Sequence, residues 1–286
     1  MLTTVFYTLM ALCAFAANSL LCRMALQSGD IDPLSFTAIR LVSGALTLFL
    51  LMQWQVKSVK SMTVVDRGNN LSALSLFVYA LCFSIAYVNL NTGTGALILF
   101  SAVQLTMIGH SIINKEPLRK LQWGALIVAF AGFVYLMLPS ATVPSLLPAV
   151  LMAVSGVAWG IYSIRGKTCE APLQATAYNF LRSLMLVPIL ILLVTMQWHA
   201  VSPIGIWLAI ASGSLASGVG YSIWYLVLPK LKSSQAGVVQ LIVPVLATFA
   251  GVVFLNELLT MRLVIASALI LGAVMVFLLA KRPVRT

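Results

Sequence analysis

Long apolar runs, broken by short polar stretches, fill this chain from end to end. A helix crossing a bilayer needs about 20 mostly apolar residues at 1.5 Å rise each. Windows of that length predict an all-α integral membrane protein with ten transmembrane helices, over residues 3–27, 34–53, 71–90, 94–113, 120–138, 146–165, 172–196, 204–227, 234–255 and 262–280. The breaks are "SGDIDP" (28–33), "NKEP" (114–117), "PSATVPS" (139–145), "PKLKSS" (229–234) and "LNELLT" (255–260). Polar residues, Pro and Gly collect there because unpaired backbone tolerates water but not hydrocarbon. The first run reads as a retained helix, not a cleaved leader: no basic stretch precedes it and it outruns a leader's apolar core.

Composition agrees. Of 286 residues, 61% are hydrophobic and 8% charged, against about 25% charged in soluble domains. The mean hydropathy is +1.05, so little chain is left for a soluble domain. The net charge of +11 is dispersed along alternate loops, with no basic run suited to nucleic acid. With the N-terminus inside, Lys57, Lys60, Arg67, Lys115, Arg119, Lys120, Arg165, Lys167, Lys230, Lys232, Lys281, Arg282 and Arg285 all fall on the cytoplasmic side. Arg23 and Arg262 stay outside, near Asp30, Asp32 and Glu257. This is the positive-inside distribution, and it predicts two cytoplasmic termini. Cys13, Cys22, Cys82 and Cys169 form no CxxC pair, so neither a disulfide nor a metal centre is expected, and no cofactor is implied.

The chain repeats itself. Glu116 and Glu257 lie 141 positions apart, and Arg23/Arg165 and Arg40/Arg182 lie 142 apart. "SFTAIRL" parallels "AYNFLRS", "FSIAY" (83–87) parallels "YSIWY" (221–225), and "GTGAL" (93–97) parallels "SQAGV" (234–238). The units are 1–138 and 146–286, joined by 139–145, with five helices each. An odd number makes the second unit enter the membrane from the opposite side. That is the inverted-topology architecture of secondary transporters, with substrate bound between halves.

Ten helices in two halves, each with an "E-P-L" or "E-L-L" corner after its fourth helix, resemble the EamA family of the drug/metabolite transporter superfamily. The second half, "SSQAGVVQLIVPVLATFAGVVFLNELLT", follows the family pattern, with Pro244 thirteen residues before Glu257. The first half has Val103 where the pattern has Pro, followed by Gln104. The resemblance implies a small-molecule transporter of the bacterial inner membrane, and bacterial exporters of amino acids and metabolites are among its members. It places the substrate cavity mainly among helices 1, 3, 4, 6, 8 and 9.

Polar and aromatic residues at membrane depth are costly unless they face protein or water. The candidates to line a cavity are Asn18, Tyr79, Tyr87, Gln104, Trp159, Tyr162, Tyr221, Trp224 and Gln240, with Ser19, Asn89, His110 and Tyr225 beside them. Interfacial aromatics and interhelical hydrogen bonds are the ordinary alternatives. Trp159 and Tyr162 share a face of helix 6, beside the close-packing pair Gly156 and Gly160. Pro244 withholds a hydrogen bond from the carbonyl of Gln240, and Pro188 makes a similar kink in helix 7; a freed carbonyl either meets substrate or is repaired locally. Arg40 and Arg182 fall inside helices. Their repetition suggests a structural role on backbone carbonyls, and attraction of an anionic substrate group is the other reading. Gly124, Gly132, Ala268 and Gly272 suit close helix packing, or a dimer contact in a protein otherwise expected to be monomeric.

The six acidic residues, Asp30, Asp32, Asp66, Glu116, Glu170 and Glu257, all lie in loops or at helix ends. No carboxylate relay crosses the membrane's middle, so transport without proton coupling is expected; proton-linked efflux of cationic drugs and metabolite import are the alternatives. "SGSLASG" (212–218) resembles a serine-hydrolase turn, but a nucleophilic Ser needs a base within reach. The histidines are His110 and His199, the latter in an outer loop. An enzyme is therefore not expected.

Overall fold

A computed structural model describes residues 2–58, 66–114, 119–137, 146–195, 201–231, 236–237 and 239–280. Every regular element among them is helical. We label the helices α1 (Leu2–Gln27), α2 (Pro33–Ser58), α3 (Asn70–Tyr87), α4 (Thr92–Ile113), α5 (Lys120–Met137), α6 (Leu146–Gly166), α7 (Pro172–Thr195), α8 (Pro203–Lys230), α9 (Ile242–Leu255) and α10 (Met261–Leu279). Seven of them, α1–α4 and α6–α8, are long and apolar enough to cross a membrane. Their bounds fall within a few residues of the apolar windows, because hydrocarbon leaves backbone no partner but its own helix. The ninth window differs. Expected over 234–255 without a break, it is helical at Ala236, Gly237 and Val239, turns at Gln240 and Leu241, and continues as α9 from Ile242.

Both interior prolines are repaired within their own helices. Pro188 would orphan the Leu184 carbonyl, and α7 tightens to a 3-10 turn over Leu184–Leu186 in which Val187 N–H donates to that oxygen. Val243 N–H donates to the Gln240 carbonyl at 3.0 Å in the same manner. The Gln240 carbonyl is thus already engaged.

Small residues set the packing. An added Cβ at Gly156 would meet Ala102 Cβ at 2.7 Å, and one at Gly160 would meet Thr106 Cβ at 2.8 Å, so this GxxxG brings α6 against α4. Residues Ser212–Val219 of α8 form a π-helix, a wound-out stretch often found at functional sites. Gly213 within it lies directly on the Arg40 carbonyl and the Ser43 hydroxyl of α2. The pair α5 and α10 pack chiefly on one another. There Gly132 meets Leu269 and Ile270, whereas Gly124 and Gly272 face open space and Ala268 is exposed. Of that set, Gly132 alone makes the expected close contact. Outward-facing Leu50, Trp54, Ile127, Leu192, Trp207 and Phe249 are more than half exposed, as lipid-facing side chains are.

Several charged groups sit at helix ends. Asn256, at φ 52°, terminates α9, and the next residue, Glu257, turns to α4. Both Glu257 carboxylate oxygens accept from Thr92 N–H at 2.9 Å, and Oε1 also accepts from Thr92 Oγ1 at 2.9 Å. An anion there complements the positive end of α4. Arg23 Nε lies 3.6 Å from Glu257 Oε1, while its Nη1 donates to the Tyr87 and Val88 carbonyls closing α3 at 2.9 and 2.8 Å. At the opposite end of α3, Arg165 donates to Asn69 Oδ1 at 3.0 Å and Ser72 Oγ at 3.1 Å. Glu116 lies outside the described residues. Asp30 accepts from the Ser28 and Ser202 hydroxyls, which hold its carboxyl below the usual range.

Gly213→Ala overpacks the α2–α8 contact and destabilises the protein by about 1–3 kcal/mol, read as a lowered unfolding midpoint in detergent; Gly124→Ala leaves the midpoint unmoved. Glu257→Gln keeps an acceptor but loses the charge at α4, costing about 1–2 kcal/mol. Glu257→Ala strands Arg23 and Thr92 and costs about 3 kcal/mol or more.

Candidate functional site

Arg40 of α2 is 2% exposed and lies inside the bundle. A cation in that setting requires surrounding dipoles or a counter-charge. Its Nη2 donates to the Tyr79 hydroxyl at 2.9 Å and the Tyr221 hydroxyl at 3.0 Å, and its Nε donates to Ser217 Oγ at 3.2 Å. The guanidinium carbon lies 5.0 Å from the Tyr79 ring centre and 4.9 Å from that of Phe83, within cation–π range. Nη1 is buried and has no hydrogen-bond partner. Among the described residues no carboxylate contacts Arg40.

Tyr79 of α3 and Tyr221 of α8 meet directly. Their hydroxyls are 3.0 Å apart, and the residues are 142 positions apart, the spacing of the two arginine pairs. This register differs from the sequence alignment of 83–87 with 221–225. Asn18 of α1 donates to Tyr79 Oη at 3.1 Å and accepts from Ser212 Oγ at 2.6 Å. Ser212 and Ser217, read from sequence as part of a hydrolase-like turn, are therefore the π-helix's contributions to this network.

An aromatic cluster adjoins it. Trp159 stands 4.6 Å from Tyr221, 5.0 Å from Tyr79 and 5.5 Å from Phe15 between ring centres. Phe15 also meets Trp224 edge-on at 5.6 Å. Trp159 Nε1 donates to Gln240 Oε1 at 2.9 Å, and Gln240 Nε2 donates to the Ala236 carbonyl at 2.9 Å. Trp224 is wholly buried, and its indole N–H has no acceptor.

Asn18, Tyr79, Trp159, Tyr221, Trp224 and Gln240 thus converge. Two other candidates border the cluster, Tyr162 at 5.7 Å from Trp159 and Tyr87 at 4.7 Å from Phe83 between ring centres, and Gln104 sits elsewhere. Tyr87 closes α3, its hydroxyl donating to the Thr92 carbonyl at 3.3 Å. Gln104 lines a void of about 10 Å³ with Ala129 and Phe130 of α5. Tyr162 stacks edge-on to Tyr225 at 5.7 Å and borders a similarly small void with Ser72 and Asn179. His110 lies near the end of α4, its ring 3.1 Å from the Asn114 amide. Arg40 and Arg182 occupy unlike surroundings: Arg182 donates to the Arg67 carbonyl before α3, whereas Arg40 contacts side chains. Phe15, Phe83, Ser212 and Ser217 belong to the cluster and are absent from the cavity candidates that the sequence offers. The signal that existed was Arg40 itself, a lone cation in a helix whose neighbours carry aromatic residues.

A larger groove, about 600 Å³, opens between α2, α7 and α8 along Val42, Leu46, Val187 and Ile191. Its walls are mostly apolar, with the hydroxyl residues Ser35, Ser43, Thr195 and Ser214 among them.

The chain is similar to known proteins along its whole length. An uncharacterized protein of Pseudomonas aeruginosa is 43% identical over 275 residues, spanning 96% of this chain and 94% of that one. The uncharacterized transporter YoaV of Bacillus subtilis is 24% identical over 257 residues, 84% of this chain and 85% of its own. An uncharacterized transporter of Archaeoglobus fulgidus is 29% identical over 206 residues, 70% of this chain and 73% of that one. One crystal structure superposes with a TM-score of 0.69 at 20% identity, covering 96% of this chain and 99% of that one, a likeness of fold. The EamA-like transporter family matches residues 2–138 and 146–279. This chain belongs to that family and is a multi-pass membrane transporter.

Proposed function

We propose that the protein is a secondary transporter of the bacterial inner membrane that exports amino acids or related small metabolites by alternating access. In this reading it crosses the bilayer ten times, as two inverted five-helix halves (1–138 and 146–286), with both termini cytoplasmic. The observation that carries it is the buried polar–aromatic cluster contributed by α1, α2 and α3 from one half and α6 and α8 from the other. A site built from both halves changes its access when they rock. The Tyr79–Tyr221 contact supports the two-half reading, because at the 142-residue spacing of the arginine pairs the two residues are counterparts, and residues on a pseudo-two-fold axis meet their own counterparts. The small-residue contacts of α4 with α6 and of α2 with α8 suit sliding surfaces.

Two features bear on coupling and on charge. The described acidic residues lie in loops or at helix ends, where Asp30 and Glu257 are engaged as above, so the cluster holds no carboxylate to carry a proton. Transport then runs down the substrate's own gradient. Arg40 repels cations, which disfavours efflux of cationic drugs through the same site.

In liposomes loaded with labelled amino acids, the purified protein releases label, and release persists with the pH gradient clamped at zero. Trp159→Ala, which deletes the ring between Tyr79 and Tyr221 and the bond to Gln240, slows release about tenfold, corresponding to about 1.4 kcal/mol. Strict dependence on a pH gradient overturns uncoupled transport, and failure of folded protein to release any amino acid overturns this substrate class.

A further inference from the structure

We propose that the Arg40 guanidinium is the receptor for a single carboxylate on the transported molecule, with the rings of Trp159, Tyr79, Phe15 and Trp224 receiving an apolar or aromatic body. The inference rests on the transporter reading and deepens it by naming a substrate class: small monocarboxylates with an apolar body.

The argument begins with charge. A guanidinium stays protonated in proteins, so Arg40 places a permanent positive charge in the bundle. Burying it without a counter-charge is costly. Its partners here are neutral: two phenols, one serine hydroxyl and the faces of two rings. A residue serving only to tie helices together would engage its full fork, or meet backbone carbonyls as Arg23 and Arg182 do. Arg40 instead leaves Nη1 without a partner at 2% exposure.

Geometry then selects the anion. Nε is committed to Ser217 and Nη2 to the two phenols, so a planar carboxylate bonds the free Nη1 and completes two parallel bonds on the Nη1–Nη2 edge by displacing a phenol oxygen from Nη2. The groups already at Nη2 suit its arrival. Both hydroxyls now accept from Arg40, and Tyr221 donates its own proton to Tyr79, so the Tyr79 proton can turn to an incoming carboxylate. Asn18, held by Ser212, fixes Tyr79 from the other side.

The neighbouring surface describes the rest of the ligand. Phe15 and Trp159 lie against Tyr221, and Trp224 packs on Phe15. These faces suit a ring or branched aliphatic chain. The unpartnered Trp224 indole N–H offers one donor to a carbonyl or hydroxyl oxygen on that body. No described carboxylate stands in the cluster to balance an ammonium, so deaminated acids fit at least as well as the amino acids themselves.

The test compares probes that differ at the carboxyl group. L-Phenylalanine, phenylpyruvate and L-phenylalaninamide are titrated into the purified full-length protein, with thermal stabilisation as the readout, and each is then assayed by counterflow in liposomes. The wild type is expected to bind one or both acids at least about tenfold more tightly than the amide. Arg40→Gln is expected to bring that ratio near unity, and Arg40→Lys, which keeps the charge and loses the fork, to give an intermediate ratio. Equal or tighter binding of the amide by the wild type overturns the proposal. So does an acid preference that survives in Arg40→Gln, or a folded wild type that binds neither acid. The wild-type comparison decides even where Arg40→Gln does not fold. Transport of a neutral or cationic compound without acid preference overturns this inference and leaves the transporter reading intact. Binding of acids through Arg40 with no movement across the bilayer does the reverse.

Discussion

A guanidinium buried among hydrocarbon side chains is the constraint around which this bundle is arranged. Arg40 has no carboxylate near it among the described residues, so dipoles must stabilise it. They come from α3, as Tyr79, and from α8, as Tyr221 and Ser217. Bringing Ser217 and Tyr221 to the same cation requires α8 to lie close on α2. Gly213 permits that approach, and the π-helix over Ser212–Val219 sets the direction of the serines. Asn18 then brings α1 into the network through Tyr79 and Ser212. One charge thus orders four helices.

The remaining charges do different work at the helix ends. Arg23 meets the carbonyl end of α3 and Glu257 meets the amide end of α4, each complementing the local helix dipole. Their mutual approach fastens the turn between α3 and α4 to the turn after α9. Arg165 and Arg182 hold the other end of α3 and the segment before it. The bundle is therefore tied by polar contacts at both ends of α3, with the Arg40 network between them. Pro188 and Pro244 add no open carbonyls, since the residue just before each donates to the oxygen it would have bonded.

Much of the fold was legible because lipid imposes a simple rule. A spanning backbone must satisfy itself, so helices announce themselves as long apolar windows with polar ends. The ninth window is helical on both sides of a turn at Gln240 and Leu241, and apolar composition does not register that turn. The candidate site was partly legible. Asn18, Tyr79, Trp159, Tyr221, Trp224 and Gln240 were recognisable as polar or aromatic groups at depth, and they do converge. Tyr162 and Tyr87 satisfied the same criterion and reach only the cluster's border, through Trp159 and Phe83, while Gln104 faces other neighbours. Depth along a helix does not reveal which partner a side chain meets.

The sequence by itself determined that the chain is helical and membrane-embedded, roughly where most of its helices run, and that its arginines recur at a fixed spacing. Those properties follow from local composition, which each segment carries alone. Tertiary structure decided that Arg40 enters a shared aromatic cluster while Arg182 caps a loop, and that two serines of a glycine-rich stretch serve that cluster. The reason is that a side chain's environment is set by which faces of distant helices meet. That meeting depends on glycine contacts and a local change of helical winding, which no apolar window encodes.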